Sequence, residues 1–235
     1  MKKWNVALGL MLACATLTFG NPIPKDNDKD EVNRIENAGK VIEEILDVPD
    51  NIPQDLLDKA RCFVVLPSVV KAAFVVGGSF GRGVMVCRTG HDFTGPWGAP
   101  VMMALEGGSV GFQIGGQATD FVILVMNNRG MDALLHSKVK LGADASIAAG
   151  PKGRTASAES DVTLRAEMLS YSRSRGAFAG VSLEGSTLRP DGDANAKVYG
   201  KGVGAEEIVT GKVQSPPAAH RLAARLEKAS PKLMP

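Results

Sequence analysis

The stretch from Phe63 to Asp120 most constrains the fold, because glycine interrupts its apolar runs again and again. Short apolar segments separated by glycine are typical of β-strands joined by tight turns. Glycine on one face of a strand also allows close approach of another layer and sharp coiling of the sheet. The stretch therefore predicts a mainly antiparallel, glycine-rich sheet that is coiled or forms a half-closed barrel. We place its first hairpin at Val69–Val76 and Gly83–Arg88, around a turn at Gly77–Gly81.

The rest of the chain adds further strands and helices, which together predict one α+β domain with an N-terminal helical pair and a C-terminal helix. Pro67 is expected to end a strand that begins at Cys62. Further strands, the first three as a continuing meander, are predicted at Val101–Glu106, Val110–Gln117, Thr119–Asn127, Ala143–Ala149, Ser157–Leu169 and Phe178–Glu184. Helices are predicted at Glu31–Asp47, Pro53–Arg61, Gly130–Ser137, Asp193–Tyr199, Ala205–Val209 and Pro217–Ala229.

The first twenty residues have the pattern of an export signal. Two lysines precede Trp4–Ala13, an apolar run too short to span a bilayer comfortably. A signal peptidase could cut after Ala15 or Gly20, or an imperfect lipobox could lead to lipidation of Cys14. A short uncleaved membrane anchor is the third alternative. We predict a signal peptide over residues 1–20, a tether over 21–30 and a single domain over 31–230. The protein is then exported, and is periplasmic or associated with the envelope.

Charge is distributed unevenly along the chain. Residues 26–58 hold 11 acidic and 3 basic residues, whereas residues 59–235 hold 14 acidic and 21 basic residues. A basic body could attract anionic ligands or membrane surfaces. It could equally be neutralised by the acidic segment that precedes it. Aromatic residues are only 5% of the chain, which argues against stacking surfaces for single-stranded nucleic acid.

Two cysteines remain outside the export signal. Cys62 opens a predicted strand and Cys87 closes another, so antiparallel pairing would bring them within bridging distance. An even number of cysteines in an exported chain favours a disulfide. Two buried free thiols are the alternative.

No motif indicates catalysis, a metal or a cofactor. The glycine cluster before Gly83 lacks the lysine and hydroxyl residue of a phosphate-binding loop. The turn that begins at Asp191 resembles a calcium loop, but Ala196 and Gly202 stand where glycine and glutamate are needed. We interpret it as a turn in which Asp193 caps the next helix. The three histidines are scattered without metal-ligand spacing. We predict that the chain is not an enzyme.

Basic residues in predicted loops are the candidates for ligand binding. Lysine and arginine pairs suit contacts to phosphate oxygens, and arginine binds them in bidentate geometry. The residues are Lys138, Lys140, Lys152, Arg154, Arg173 and Arg175.

The glycine-rich stretch and two later segments resemble the SYLF lipid-binding domain family, which is also described as an actin-binding domain of fungal endocytic proteins. The similarity runs from about Asn51 to Glu227. The segments that carry it are VVLPSVVKAAFVVGGSFGRG (64–83), GPWGAP (95–100), GGSVGFQIGGQATD (107–120), LGADASIAAGPKGR (141–154) and YSRSRGAFAGVSLEG (171–185).

The resemblance implies binding of phosphoinositides or other anionic lipids, which eukaryotic members contact through a basic amphipathic N-terminal helix. This chain departs from that pattern, because Glu31–Asp47 is net acidic and follows a bacterial-type export signal. We expect a non-enzymatic domain that meets anionic lipid at the cell envelope through its basic loops, without a nucleic-acid partner. The alternative is an envelope protein-interaction or structural module that does not bind lipid.

Overall fold

The computed structural model describes residues 29–48, 51–73, 76–110, 115–136, 138–151, 165–174, 177–180 and 183–231. Strands are formed by β1 (Cys62–Ala73), β2 (Val76–Cys87), β3 (Val101–Val110), β4 (Gly115–Val125), β5 (Val139–Lys140), β6 (Ile147–Ala149), β7 (Met168–Ser174), β8 (Ala177–Gly180) and β9 (Ser186–Pro190). Helices are formed by α1 (Lys29–Leu46), α2 (Gln54–Lys59), α3 (Asn128–His136), α4 (Gly192–Tyr199), α5 (Ala205–Val209) and α6 (His220–Ala229).

The strands form one curled, half-closed sheet. The order of neighbouring strands is β5-β9-β3-β2-β1-β4-β7-β6. Strand β8 also pairs with β7, along the same edge of β7 that β6 occupies. Only β6 and β7 run parallel; the other neighbours are antiparallel. In the described part of the chain, β5 and β6 are the two end strands of this path, and they do not pair with each other. The predicted α+β fold, with its half-barrel and terminal helices, is confirmed.

The predicted meander is wrong at one point. Strand β4 pairs with β1 rather than with β3, so the central order is β3-β2-β1-β4. Periodicity identifies strands but carries no signal for which strand lies beside which. The predicted strand Val110–Gln117 spans the end of β3 and the start of β4, and residues 111–114 lie outside the described residues.

Strand β1 continues through Pro67, which was expected to end it. The pairing register shifts between Leu66 and Val69 against β4, which is the signature of a β-bulge. At this bulge Ser68 has a φ of 50°, and its backbone N–H donates to Asp120 Oδ1 at 2.8 Å. A bulge removes the need for a ladder hydrogen bond from proline, so the strand tolerates Pro67.

The predicted turn at Gly77–Gly81 lies inside β2, so that prediction is also wrong. The glycines serve close packing there. A Cβ added to Gly83 would lie 1.9 Å from the Val65 carbonyl oxygen, and one added to Gly81 would lie 2.5 Å from Val69 Cγ2. The strand therefore needs glycine where its backbone crosses the β1 bulge at close range.

The later elements partly match their predicted bounds. Of the strand predicted at Ser157–Leu169, residues 157–164 lie outside the described residues, and strand pairing begins at Met168. The predicted disulfide is confirmed, because Cys62 and Cys87 are direct cross-strand partners and their sulfur atoms are bonded.

One hydrophobic core joins the sheet to the helices. Helix α1 packs on β1, β2 and α6, and its isoleucines 35, 42 and 45 are fully buried. Strand β4 contributes Phe121–Val125, every residue of which is buried. That continuous apolar run fits its central place between β1 and β7.

Candidate functional site

The basic residues predicted to bind ligand do not form one cluster in the described part of the structure. Lys138 and Lys140 are exposed at β5, at one end of the sheet path. Arg173 lies in β7, near the other end. Their role in ligand binding stays a prediction. Lys152, Arg154 and Arg175 lie outside the described residues, as does the lipidation candidate Cys14.

Arg173 faces two carboxylates of its own chain. Its guanidinium donates to Glu44 of α1 and lies 3.8 Å from Asp120 of β4. These contacts compensate its charge, so an anionic ligand at this point would compete with Glu44 and Asp120.

The acidic face of α1 neutralises the C-terminal helix in the same way. Glu43 accepts hydrogen bonds from Arg221, and Asp47 accepts one from Arg225. Both arginines belong to α6. Of the two interpretations of the charge asymmetry, internal neutralisation therefore applies where α1 meets the body of the protein.

A cleft of about 550 Å³ opens where the start of α1, strand β2 and the start of α4 meet. Its walls carry charges of both signs, and two alanines of α4 complete the lining. The charged residues are Glu31, Arg82, Asp191, Asp193, Lys197 and Lys201. Asn195 fixes α4 against β3, because its side-chain amide both accepts from the Met102 N–H and donates to the Met102 carbonyl.

Buried ion pairs form the floor of the cleft. Arg34 of α1, 8% exposed, donates to Asp191 Oδ2 at 3.1 Å and lies 3.6 Å from Glu31 Oε1. Lys197 Nζ approaches the same Glu31 oxygen at 3.4 Å. Glu31 itself is 2% exposed, and its Oε2 atom is buried without a hydrogen-bond partner in the described structure.

An exposed apolar pair borders this cleft. Val70 of β1 and Phe80 of β2 are direct cross-strand partners and are 50% and 49% exposed. Arg82 follows two positions after Phe80, and its guanidinium lies 5.5 Å from the centre of the Phe80 ring. Arg82 Nε is also 3.7 Å from Asp191 Oδ2. Arg82 thus connects the apolar pair to the charged cleft.

The sequence contained partial signals for this site. The turn at Asp191 stood out as a false calcium loop, and Arg82 and Phe80 lie in the family-like glycine segment. The predicted cap was wrong, however, because Asp191 rather than Asp193 accepts from the Ala194 N–H. Sequence reasoning missed the site because its residues come from positions 31, 82 and 191–201, which only the fold brings together.

A second buried charge, at Arg88, is structural. Its guanidinium donates to the Ser230 carbonyl at 2.9 Å and to Ser230 Oγ at 2.6 Å, and stacks 4.2 Å from the centre of the Trp97 ring. Burial lowers the pKa of the Arg88 guanidinium, and the carboxylates of Glu227 and Asp58 partly oppose that shift. Because its donors are used by the chain itself, Arg88 holds the fold together and offers nothing to a ligand.

The described residues contain no group of three or more histidine, cysteine, aspartate or glutamate residues that could hold a metal ion. None of the helices in the described ranges is long and apolar enough to cross a membrane.

Comparison with known proteins identifies the family. A profile described as "Ysc84: Las17-binding protein actin regulator" matches residues 106–229, which is more than half of the chain. The chain therefore belongs to the Ysc84/SYLF family. The family is described as one of actin regulators, and the prediction that the chain is not an enzyme is confirmed at the level of the family.

Relatives of the chain include animal and yeast proteins. The chain is 36% identical over 213 residues to SH3 domain-containing YSC84-like protein 1 of Homo sapiens, covering 87% of this chain and 59% of the relative. It is 33% identical over 218 residues to LAS seventeen-binding protein 3 of Saccharomyces cerevisiae (strain ATCC 204508 / S288c), covering 89% and 46%. The chain thus spans about half the length of the curated relatives it matches.

Proposed function

We propose that the protein is a non-enzymatic domain that binds anionic phospholipid at the cell envelope. The observation that carries the proposal is the exposed Val70–Phe80 pair beside Arg82 and the cleft. Peripheral membrane proteins combine apolar side chains that enter the acyl boundary with bases that meet the head groups. Arg82 lies between the two zones and contacts both.

The basic side chains at the cleft rim are exposed to solvent. The side chain of Arg82 is 55% exposed and that of Lys197 is 51% exposed. Lys201 is exposed, and no ion pair is recorded for it in the described structure. Each basic residue near an anionic surface contributes about 1 kcal/mol of attraction. Three bases with one exposed phenylalanine are enough for a weak, reversible membrane contact.

Location at the envelope rests on the sequence of the first twenty residues. An export signal would bring the domain to the outer side of the inner membrane, as a periplasmic protein or, through Cys14, as a lipoprotein. Either route would bring the domain close to phospholipid head groups.

Flotation with liposomes tests the proposal. We expect the purified protein to float with phosphatidylglycerol vesicles at low salt and to dissociate as salt is added, because salt screens surface charge. Phe80→Gln should lower the partition coefficient about tenfold, the scale set by the burial of one aromatic side chain. Lys228→Gln, which changes an exposed lysine of α6, is the matched control and should float like the wild type. Failure of the wild type to float at low salt would overturn the proposal.

A second candidate function is protein interaction without lipid. It is favoured by the family description and by the name of LAS seventeen-binding protein 3, both of which denote binding to a protein. It predicts indifference to vesicles and a stable complex on pull-down from envelope extract. Recovery of the protein alone would count against it.

A further inference from the structure

The cleft contains a buried carboxylate oxygen that the protein does not satisfy. Glu31 Oε1 has two cationic neighbours, but Oε2 has no hydrogen-bond donor in the described structure. A buried charged acceptor without a partner is costly, and native proteins rarely tolerate one without a reason. Glu31 lines the open cleft, but its Oε2 atom is closed off from solvent in this structure. A ligand that carries an N–H donor could therefore supply the missing hydrogen bond once the neighbouring Lys197 side chain moves aside.

The other carboxylates do not compete for such a donor in the same way. Asp191 is engaged by Arg34 through Oδ2 and by the Ala194 N–H through Oδ1. Asp193 lies at the exposed rim, where water reaches it. Glu31 is therefore the acceptor at which a bound ammonium group would gain most, because it is the one removed from water.

The basic residues of the cleft favour a ligand that carries a negative charge beside that ammonium group. Arg82, Lys197 and Lys201 lie on the walls of the same cavity as Glu31. A simple cation would meet these three positive charges. A simple anion would leave Glu31 Oε2 without a donor and would face Asp191 and Asp193. Only a ligand with both charges satisfies the two sets of groups.

We propose that the cleft binds a ligand in which a primary ammonium lies next to a phosphate, as in the phosphoethanolamine head group. The ammonium donates to Glu31 Oε2, and the phosphate accepts from Arg82 and Lys201. Lys197, which covers Glu31 and is half exposed, turns from the carboxylate toward the phosphate as the ligand enters. A quaternary ammonium such as that of phosphocholine is excluded, because it has no N–H to donate. Where the ligand is a lipid, this inference rests on the proposed membrane contact and adds to it a zwitterionic head group, which the cleft would bind beside the anionic surface.

Titration with soluble head groups tests the inference apart from membrane binding. The probes are sn-glycero-3-phosphoethanolamine, sn-glycero-3-phosphocholine and glycerol 3-phosphate, each followed by calorimetry with the full chain. We expect saturable binding of the first probe, with Kd about tenfold lower than for either of the others, the scale of one charged hydrogen bond. Equal affinity for the ethanolamine and choline probes would overturn the inference. Failure of all three probes to bind would also overturn the inference. Ordered water would then be the hydrogen-bond partner of Glu31 Oε2.

Variants separate the two charges. Glu31→Gln, which keeps the size of the side chain, should abolish the preference for the ethanolamine probe. Lys201→Gln should weaken the binding of all three probes alike, and Lys228→Gln should leave their binding unchanged. If Glu31→Gln does not fold, Lys201→Gln and Asp193→Asn still test the site from its exposed rim. Asp193→Asn should leave the preference intact, and loss of the preference there would place the ammonium at the rim and contradict the proposal.

Vesicles distinguish this inference from the proposed function. Flotation with phosphatidylglycerol vesicles, without any binding of the ethanolamine probe, would support membrane binding and reject the cleft ligand. Selective binding of the soluble probe without flotation would support the cleft ligand and reject membrane binding.

Discussion

At the residue scale, Arg88 connects segments that lie far apart in the sequence. It is fully buried and donates to Ser230 and to the Ala60 carbonyl, and Trp97 shares the Ser230 carbonyl through its indole N–H at 3.0 Å. Replacement by methionine would keep much of the volume but would remove the guanidinium donors to the Ala60 carbonyl and to Ser230 Oγ, and would leave the Ser230 carbonyl with Trp97 alone.

We expect Arg88→Met to lower the free energy of unfolding by about 3 kcal/mol, the usual cost of removing a buried charged partner. Urea denaturation would measure it. Arg129→Met, which removes a guanidinium that is 84% exposed, is the control and should change stability by less than about 1 kcal/mol. Equal effects of the two variants would show that Arg88 is not the structural centre described above.

The two tyrosines of the chain provide a pH-dependent prediction. Burial raises the pKa of the Tyr171 phenol, with a smaller contribution from Asp55, and burial alone raises that of Tyr199. The unfolded chain releases these protons above about pH 10, whereas the folded chain retains them. Stability is therefore fully present below about pH 10 and is lost as the pH rises further.

Each tyrosine should add about 1.4 kcal/mol per pH unit to that loss. Tyr199→Phe should remove the part of this pH dependence that Tyr199 causes. It should also lower stability by an amount that does not change with pH, because the hydrogen bond to the Pro100 carbonyl is lost. Denaturation series above about pH 10 would compare the two proteins. Appearance of tyrosinate absorbance near pH 10 in the still-folded protein would contradict the prediction.

At the scale of elements, the sequence predicted the helices well and the strands unevenly. Helix α1 was found within two residues of its bounds, because its isoleucines recur at helical spacing. The disulfide was also accessible, since its cysteines stand at strand ends. The sequence predicted that β1 ends at Pro67, because proline usually stands at strand ends. Only the bulge at Ser68 reveals why the strand continues. The glycines of β2 resembled a turn because their reason, the nearness of Val65, is a tertiary contact.

The Cys62–Cys87 bridge joins β1 to β2 across 25 residues of sequence. A loop of this length contributes about 3.5 kcal/mol in the chain-entropy account of disulfides. We expect the Cys62→Ala/Cys87→Ala double variant to lose about that much stability. The wild type in dithiothreitol is the internal comparison and should unfold at the same urea concentration as the variant. Unchanged stability on reduction would contradict the expectation.

The glycines of β2 differ from one another in a testable way. Gly83→Ala should lower stability by about 2 kcal/mol or more, because its Cβ would overlap the Val65 carbonyl. Gly78→Ala is the control on the same strand, since its Cβ would lie 3.6 Å from the Gly107 oxygen, at ordinary contact distance. We expect Gly78→Ala to change stability by less than about 1 kcal/mol. Similar losses in both variants would mean that glycine is needed in β2 for flexibility and not for space.

At the scale of the whole molecule, two sets of bases compete as the membrane contact. Of the basic residues predicted from sequence, Lys138 and Lys140 lie at the end strand β5. The bases of the cleft lie beside Val70 and Phe80, the large apolar side chains that are exposed in the described structure. Apolar contact close to positive charge favours the cleft.

The double variant Arg82→Gln/Lys201→Gln should therefore weaken flotation with anionic vesicles more than Lys138→Gln/Lys140→Gln does. Both variants remove two positive charges, so the comparison separates position from net charge. Equal losses of flotation in the two variants would indicate a diffuse electrostatic attraction. Lys138 and Lys140 would then remain candidates for the membrane contact.

The contacts of Arg88 also set an order of assembly. The groups that satisfy its guanidinium come from residue 60, from residue 95 and from residue 230, which follows α6. A chain that leaves the ribosome amino end first exposes Arg88 long before Ser230 is synthesised. Until Ser230 is present, the Arg88 guanidinium lacks two of the acceptors that it has in the folded domain. We therefore expect the packing around Arg88 to be completed only after α6 and Ser230 are in place.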